Sequence, residues 1–331
     1  MENFAVQALR GFSLKCKNVS KEKSYFVCGT DKGLKMLQKV TVSCEKINFA
    51  HQVKEMLFNN GFTAVDRFVV SQNDGRPFVL LDDGVYTVVD YIPKNYSETN
   101  FGDNAEFSGI IRAVAEMHSI LKKSFKTAEN SSQSNKPFEI DSIYQKHFGD
   151  LKAYKKTALR QARLSEYDVL FLKNCDFYLE LLSSWHSAAN GEEFTGVMDD
   201  ASEKHYISHN LLKEETVLKK PDGDFFILNF SECDFSHYVH DTASLIKRYI
   251  KNLPVENIPL DDVIGEYCSV NPLNSGEINA LKTILLFPDN FLKNCAIYYS
   301  KKRTWIPAAF LTRMEVITQN REKQTKYMGI R

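Results

Sequence analysis

The sequence predicts an α+β chain of two lobes, a small β-rich lobe with one helix followed by a larger, mainly helical lobe. Three observations carry this. Short strand-like segments separated by turn signals crowd the first ninety residues. Wide apolar helical faces dominate the rest of the chain. A short linker at Pro93 separates the two, which sets expected boundaries at 1–93 and 94–331.

In chain order, residues 24–30 are short, aromatic and β-branched, and Asp31-Lys32-Gly33 is a turn signal. In the next strand Leu34, Met36, Val40 and Val42 recur at period two, with Gln38 interrupting the apolar series. Ile47, Ala50, Val53 and Leu57 then fall at helical spacing, and Asn59-Asn60-Gly61 is a helix stop. Strands are expected near 63–70, 78–82 and 85–91, divided by turns at Asn73-Asp74-Gly75 and Asp82-Asp83-Gly84. In the second lobe Phe107, Ile110, Ile111, Val114, Met117 and Ile120 give residues 105–121 a broad apolar helical face. Residues 126–137 are polar and loop-like. Long helical patterns cover about 164–187 and 277–319, with strand-and-loop segments at 207–218 and 225–230 between them.

Composition narrows the function classes. The 331 residues are 43% hydrophobic and 25% charged, ordinary for a soluble globular chain. Lys+Arg and Asp+Glu both number 42, so the net charge is zero, which argues against a general nucleic-acid binder and offers little repulsion against self-association. The first residues lack a basic segment followed by an apolar core, so no secretory signal is expected, and the longest apolar runs are too short to span a bilayer. The seven cysteines are scattered and form no C-x-x-C pair, the pattern of reduced thiols.

The motifs with chemical content lie in the second lobe. Residues 209–218 read HNLLKEETVL, 226–231 read FILNFS, and 239–248 read VHDTASLIKR. Upstream, 111–118 read IRAVAEMH, and in the first lobe 30–40 read TDKGLKMLQKV. In order and spacing these resemble the H-G-D-x-x-x-x-N-I-L, I-D-F/W/L-D/E, Y-D-L-A, L-A-x-x-H and T-x-x-G-x-Y-x-L-K-R motifs of aminoglycoside and choline kinases, whose fold is protein-kinase-like. Within that superfamily the chain most resembles the CotS family of bacterial spore-coat proteins, through the TDKG hairpin and the tail at 285–317.

The resemblance implies a catalytic apparatus that this chain has lost. Phosphoryl transfer needs positioning and charge neutralisation: a Lys on the phosphates, an Asp to take the hydroxyl proton, and an Asn and an Asp on Mg²⁺. Matched position by position, these fall on Gln38, Leu211, Thr216 and Asn229. Leu211 cannot accept a proton. Thr216 and Asn229 keep a neutral oxygen each, but Mg²⁺ usually sits on one or two carboxylates plus phosphates. Gln38 neutralises nothing, and Lys39 should point to the opposite strand face. Asp234 is the Asp placed to stand in for the lost metal ligand, and Glu232 lies closer to Asn229 but alternates differently; neither matches the motif position. His118, His209 and Asp241 match positions that brace the catalytic loop.

Other patterns carry less. The pairs His205/His209 and His237/His240 fall in loop-like segments without cysteines, a poor zinc pattern. Trp185-His186 closes a helix, and Lys301-Lys302-Arg303 before Thr304 and Trp305 reads as a solvated helix face. No G-x-S-x-G, H-E-x-x-H or Walker motif is present. The expectation is therefore a pseudokinase of the spore coat, made in the mother-cell cytoplasm, with other coat proteins as partners and no metal or cofactor. An active small-molecule phosphotransferase and a nucleotide- or metabolite-binding module are the alternatives.

Overall fold

The structure, a computed structural model, describes residues 2–22, 24–92, 94–124, 139–300 and 307–329. Pro93, the polar stretch 126–137 and the run from Lys301 to Trp305 lie outside the described residues. The chain opens with α1 (Glu2–Gly11), followed by β1 (Cys16–Glu22), β2 (Tyr25–Thr30), β3 (Gly33–Val40), α2 (Cys44–Asn59), β4 (Val79–Leu81) and β5 (Gly84–Asp90). The strands form an antiparallel sheet in the order β1-β2-β3-β5-β4.

One helix was expected beside this sheet, and two are present. Helix α1 presents Ala5, Ala8 and Leu9 to Cys28, Leu37, Tyr86 and Val88 of the sheet, all buried. This corrects the buried face of β3. Leu34 is 53% exposed, whereas Leu37 and the stem of Lys35 are buried on the face that α1 covers. The period-two signal was right and the face was wrong, because the face under α1 carries Lys35 and Lys39 around Leu37 while the more exposed face carries the longer apolar series.

Helix α2 starts where Ser43 accepts the Lys46 N–H and ends at Asn60 and Gly61, whose φ of +98° suits glycine. Residues 63–70 were expected as a strand. They make only two isolated bridges, Val65 to Ile227 and Phe68 to Val89, because on its way from α2 to β4 the segment meets a strand of the second lobe and then one of the first, each for a single residue.

The second lobe contains β6 (Ser97–Glu98), α3 (Asn104–Ser124), α4 (Ile140–Leu159), α5 (Glu166–Ala189), α6 (Glu192–Glu203), β7 (Ile207–Ser208), β8 (Val217–Lys219), β9 (Phe225–Ile227) and β10 (Asp234–Phe235). Helices α7 (Val239–Lys251), α8 (Leu260–Cys268), α9 (Ser275–Leu286), α10 (Asp289–Ser300), α11 (Pro307–Gln319) and α12 (Arg321–Tyr327) complete it. The helical pattern at 277–319 is broken at Phe287, which is extended (ψ 117°) because Pro288 disfavours the helical conformation of the residue before it. One core joins α2, α3 and α7–α9, and a second joins α4, α5, α10 and α11. No helix among the described residues is long and apolar enough to cross a membrane.

Candidate functional site

The site is built from the inside outwards on a buried carboxylate. Asp241, in the first turn of α7, is 2% exposed. Its Oδ2 accepts the His209 N–H at 2.5 Å and its Oδ1 accepts the Asn210 N–H at 2.8 Å. His118 Nε2 of α3 lies 3.2 Å from Oδ2, and His118 Nδ1 lies 2.9 Å from the Tyr267 hydroxyl. Asn271 donates to that hydroxyl. The proton order is consistent throughout: Asn271 donates to Tyr267, Tyr267 to His118 Nδ1, and His118 Nε2 to Asp241. Burial alone would raise the Asp241 carboxyl, but the His118 and His209 contacts outweigh it and hold the group below its ordinary value.

His209 is 1% exposed and lies across the Phe230 ring, with Nε2 3.2 Å from the Leu228 carbonyl and Nδ1 accepting the Leu211 N–H at 3.2 Å. Burial pushes it down to about 4, against the pull of Asp241. Below pH 6.5 the unfolded chain takes up a proton on this ring that the folded chain refuses until about pH 4. Stability should therefore fall as pH drops through that window, by about 3 kcal/mol in total from His209. Buried His237 is also held down by burial and acts in the same direction. Urea unfolding at pH 7.5, 6, 5 and 4.5 checks this; a flat profile would refute the His209 environment.

The four positions matched to the catalytic groups can now be placed. Leu211 is half-buried in the loop after His209. Thr216 is 2% exposed; its hydroxyl donates to the Leu211 carbonyl at 2.6 Å and accepts the Lys213 N–H at 3.0 Å. That corrects the view of Thr216 as a spare oxygen for a metal, since the hydroxyl is committed within the loop. Asn229 follows β9 at φ +63° and Asn210 precedes Leu211 at φ +60°, a conformation that asparagine tolerates better than most residues. Leu211, Thr216 and Asn229 belong to one connected loop system, because the Leu228 N–H donates to the Thr216 carbonyl.

Gln38 stands apart on β3, opposite Thr87 of β5, and no hydrogen bond joins it to the other three among the described residues. Lys39 points to the other face, 2.9 Å from Asp83 and over the Tyr86 ring.

The acids weighed as substitutes are engaged elsewhere. Asp234 pairs with Ser208 in the β7–β10 ribbon and caps the Phe235 N–H, and Glu232 reaches Lys46 of α2 at 3.5 Å. Among the described residues no three His, Cys, Asp or Glu side chains converge on a point. His205 is exposed beside Phe235, while His209 is inside.

Sequence reasoning missed the acid that does meet Asn229. Asp66 Oδ1 and Oδ2 accept the Asn229 N–H at 3.3 and 3.2 Å. Asp66 is itself paired with Lys54 of α2, which is 1% exposed and reaches Asp66 Oδ1 at 2.9 Å and the Asp66 carbonyl at 2.8 Å. Lys54 also lies 3.9 Å from the Phe68 ring centroid. The available signal was a lysine on the apolar stripe of α2, adjoining Ala50, Val53 and Leu57, followed by a lone acid in the apolar stretch around Val65.

A small antiparallel sheet lobe over a helical lobe, with the loop after a buried histidine anchored on a helix-borne aspartate, defines the class of two-lobed phosphotransferase-like folds. An aminoglycoside phosphotransferase from Alicyclobacillus acidocaldarius superposes with a TM-score of 0.81 at 16% identity, covering 98% of this chain and 93% of that one. An amicoumacin kinase solved with AMP-PNP, Ca²⁺ and amicoumacin gives 0.60 at 13% identity (98% and 94% covered), and a spectinomycin phosphotransferase solved with ADP and spectinomycin gives 0.57 at 11% (99% and 93%). The chain belongs to the family described as "Spore coat putative kinase YutH", whose model matches residues 8–330. No curated protein matches the sequence.

Proposed function

We propose that this protein is a structural or assembly component of the spore coat, a pseudokinase whose lobes, divided near residue 93, form a scaffold and do not transfer phosphate. The observation that carries the reading is the loop between His209 and Thr216. It keeps the buried Asp241 anchor, yet presents Leu211 where a base is needed and spends the Thr216 hydroxyl on its own backbone. Losing one general base typically costs about 10²–10⁴ in rate. Here the base, two metal ligands and the phosphate lysine are replaced together. Family membership supports the coat context. In this reading the protein is made in the mother-cell cytoplasm, binds other coat proteins and can self-associate. In sporulating cells a fluorescent fusion should ring the forespore; a diffuse signal throughout sporulation rules out the coat role.

A second reading, a nucleotide- or metabolite-binding module or a phosphotransferase with relocated acids, is favoured by the intact anchoring of the loop and by fold relatives solved with nucleotides. One assay separates the two. Under the scaffold reading, incubation with Mg²⁺ and ATP plus amino-sugars, sugars or choline yields no ADP above a protein-free control. Neither ATP nor ADP shifts the melting transition in a Mg²⁺-dependent way. Ligand at a hundred times its dissociation constant stabilises by about 2.7 kcal/mol, so binding at that level would be visible. Turnover that disappears in Asp234→Asn or Asp66→Asn would overturn the scaffold reading.

A further inference from the structure

A groove of about 610 Å³ opens on the second lobe between α7, α10 and α11. None of the residues 209–216 lines it, so it is separate from the site described above. Its size falls in the range of about 300–1,000 Å³ common for small-molecule sites, and its lining is apolar in the way such sites are. Leu286, Phe287, Phe291 and Ile297 form one wall and Val316 and Ile317 the other.

The charged groups around it are mostly cationic. Lys247, Lys251, Lys293 and Arg313 line the groove against the single carboxylate Asp289. That carboxylate is already taken, since Lys247 Nζ lies 3.0 Å from Asp289 Oδ2 and donates to the Phe287 carbonyl at 2.8 Å. Lys251, Lys293 and Arg313 are exposed and form no ion pair among the described residues. A local excess of three cations stands out on a chain whose net charge is zero. The neighbouring cavity, of about 620 Å³, shares Met328 and adds Lys323 and Lys326, so the positive field extends beyond the rim.

The same wall holds an unpartnered polar group. Asn294, buried on the same wall, donates from Nδ2 towards the Tyr167 hydroxyl and the Phe310 carbonyl, both at 3.3 Å. Its buried Oδ1 has no hydrogen-bond partner among the described residues. A buried acceptor without a donor costs about 1–3 kcal/mol.

We propose that this groove binds a small amphipathic organic anion. Its apolar body lies against Phe287 and Phe291, and its carboxylate or phosphate head meets Lys251, Lys293 and Arg313. The proposal stands whether or not the cleft site is inactive.

The full-length protein tests it, with 8-anilinonaphthalene-1-sulfonate as the fluorescent probe. Decanoate and decyl phosphate should displace the probe. Decanol should compete at least about tenfold more weakly, and decyltrimethylammonium and inorganic phosphate alone should not compete. Two variants then locate the site. Lys293→Glu/Arg313→Glu removes two exposed attractions and adds two repulsions, and should weaken decyl phosphate by about tenfold or more. Val316→Asp, at a position 40% exposed, should weaken it through the apolar wall. Circular-dichroism melts of both variants should match the parent, which separates lost binding from lost folding. Unchanged affinity in both folded variants, or equal competition by decanol and decyl phosphate, overturns the proposal. Co-sedimentation with phosphatidylglycerol-containing vesicles would identify a membrane lipid as the source of the anion, and displacement without co-sedimentation a free molecule.

Discussion

Asp241→Ala is expected to lower the unfolding free energy by about 3–5 kcal/mol, because it removes the acceptor from two buried donors and a third part-buried one at once. The His209 and Asn210 N–H groups and His118 Nε2 all converge on this carboxylate, which is 2% exposed. Each buried group left without a partner costs about 1–3 kcal/mol, and the alanine side chain cannot admit a protein group in compensation. Asp241→Asn keeps one acceptor oxygen but turns an NH₂ towards a backbone donor, so it should fall between the parent and the alanine variant. The reference is Asp176→Ala, whose carboxylate is 69% exposed and pairs with Lys155 at the surface; it should stay within about 0.5 kcal/mol. Urea unfolding with an unchanged m-value reads the difference as a shift in midpoint. A loss below about 1 kcal/mol for Asp241→Ala would show that the loop does not depend on this anchor.

The same network explains what was legible in the sequence. His118, His209 and Asp241 are separated by up to 123 residues, yet they were singled out together, because ordered motifs place them even when local periodicity cannot. Helix α2 was readable from Ile47, Ala50, Val53 and Leu57, and α3 from its broad apolar face, since both bury one stripe and expose another. Helix α4 carried a comparable signal in Ile140, Phe148, Leu151 and Ala158, diluted by six intervening charges at Asp141, Lys146, Asp150, Lys152, Lys155 and Lys156. The core face of β3 was missed because that face carries Lys35 and Lys39 beside Leu37, while the more exposed face carries Leu34, Met36 and Val40, so the apolar series pointed the wrong way. The role of Thr216 was misjudged because a hydroxyl that bonds its own loop and one that faces a ligand look alike in one dimension.

Asp66 and Lys54 lay furthest from what periodicity can show. They are twelve residues apart, on different elements, and meet only because the segment after α2 folds back along it. Their burial makes the second large prediction. Lys54→Met preserves most of the side-chain volume but removes the ammonium over the Phe68 ring and leaves the Asp66 carboxylate, 7% exposed, without its cation. Removing one partner of a buried pair typically costs about 3–5 kcal/mol.

The double variant Lys54→Met/Asp66→Asn should recover most of that loss, because a neutral amide needs no counter-charge and its oxygen can still accept the Asn229 N–H. The coupling between the two sites should reach about 0.5–3 kcal/mol, the range for groups in direct contact. The site should respond as well. Asn229 sits at φ +63° with its N–H tied to Asp66, so loosening Asp66 frees that turn. Hydrogen exchange at Asn229 should accelerate in Lys54→Met and return towards the parent rate in the double variant. If the single variant is as stable as the parent, or the double no better than the single, the ion pair contributes little net stability. The link from α2 to the 226–231 motif would then rest on the backbone pairing of Ala64 and Val65 with Ile227 and on the burial of Phe230 in the core that α2 shares.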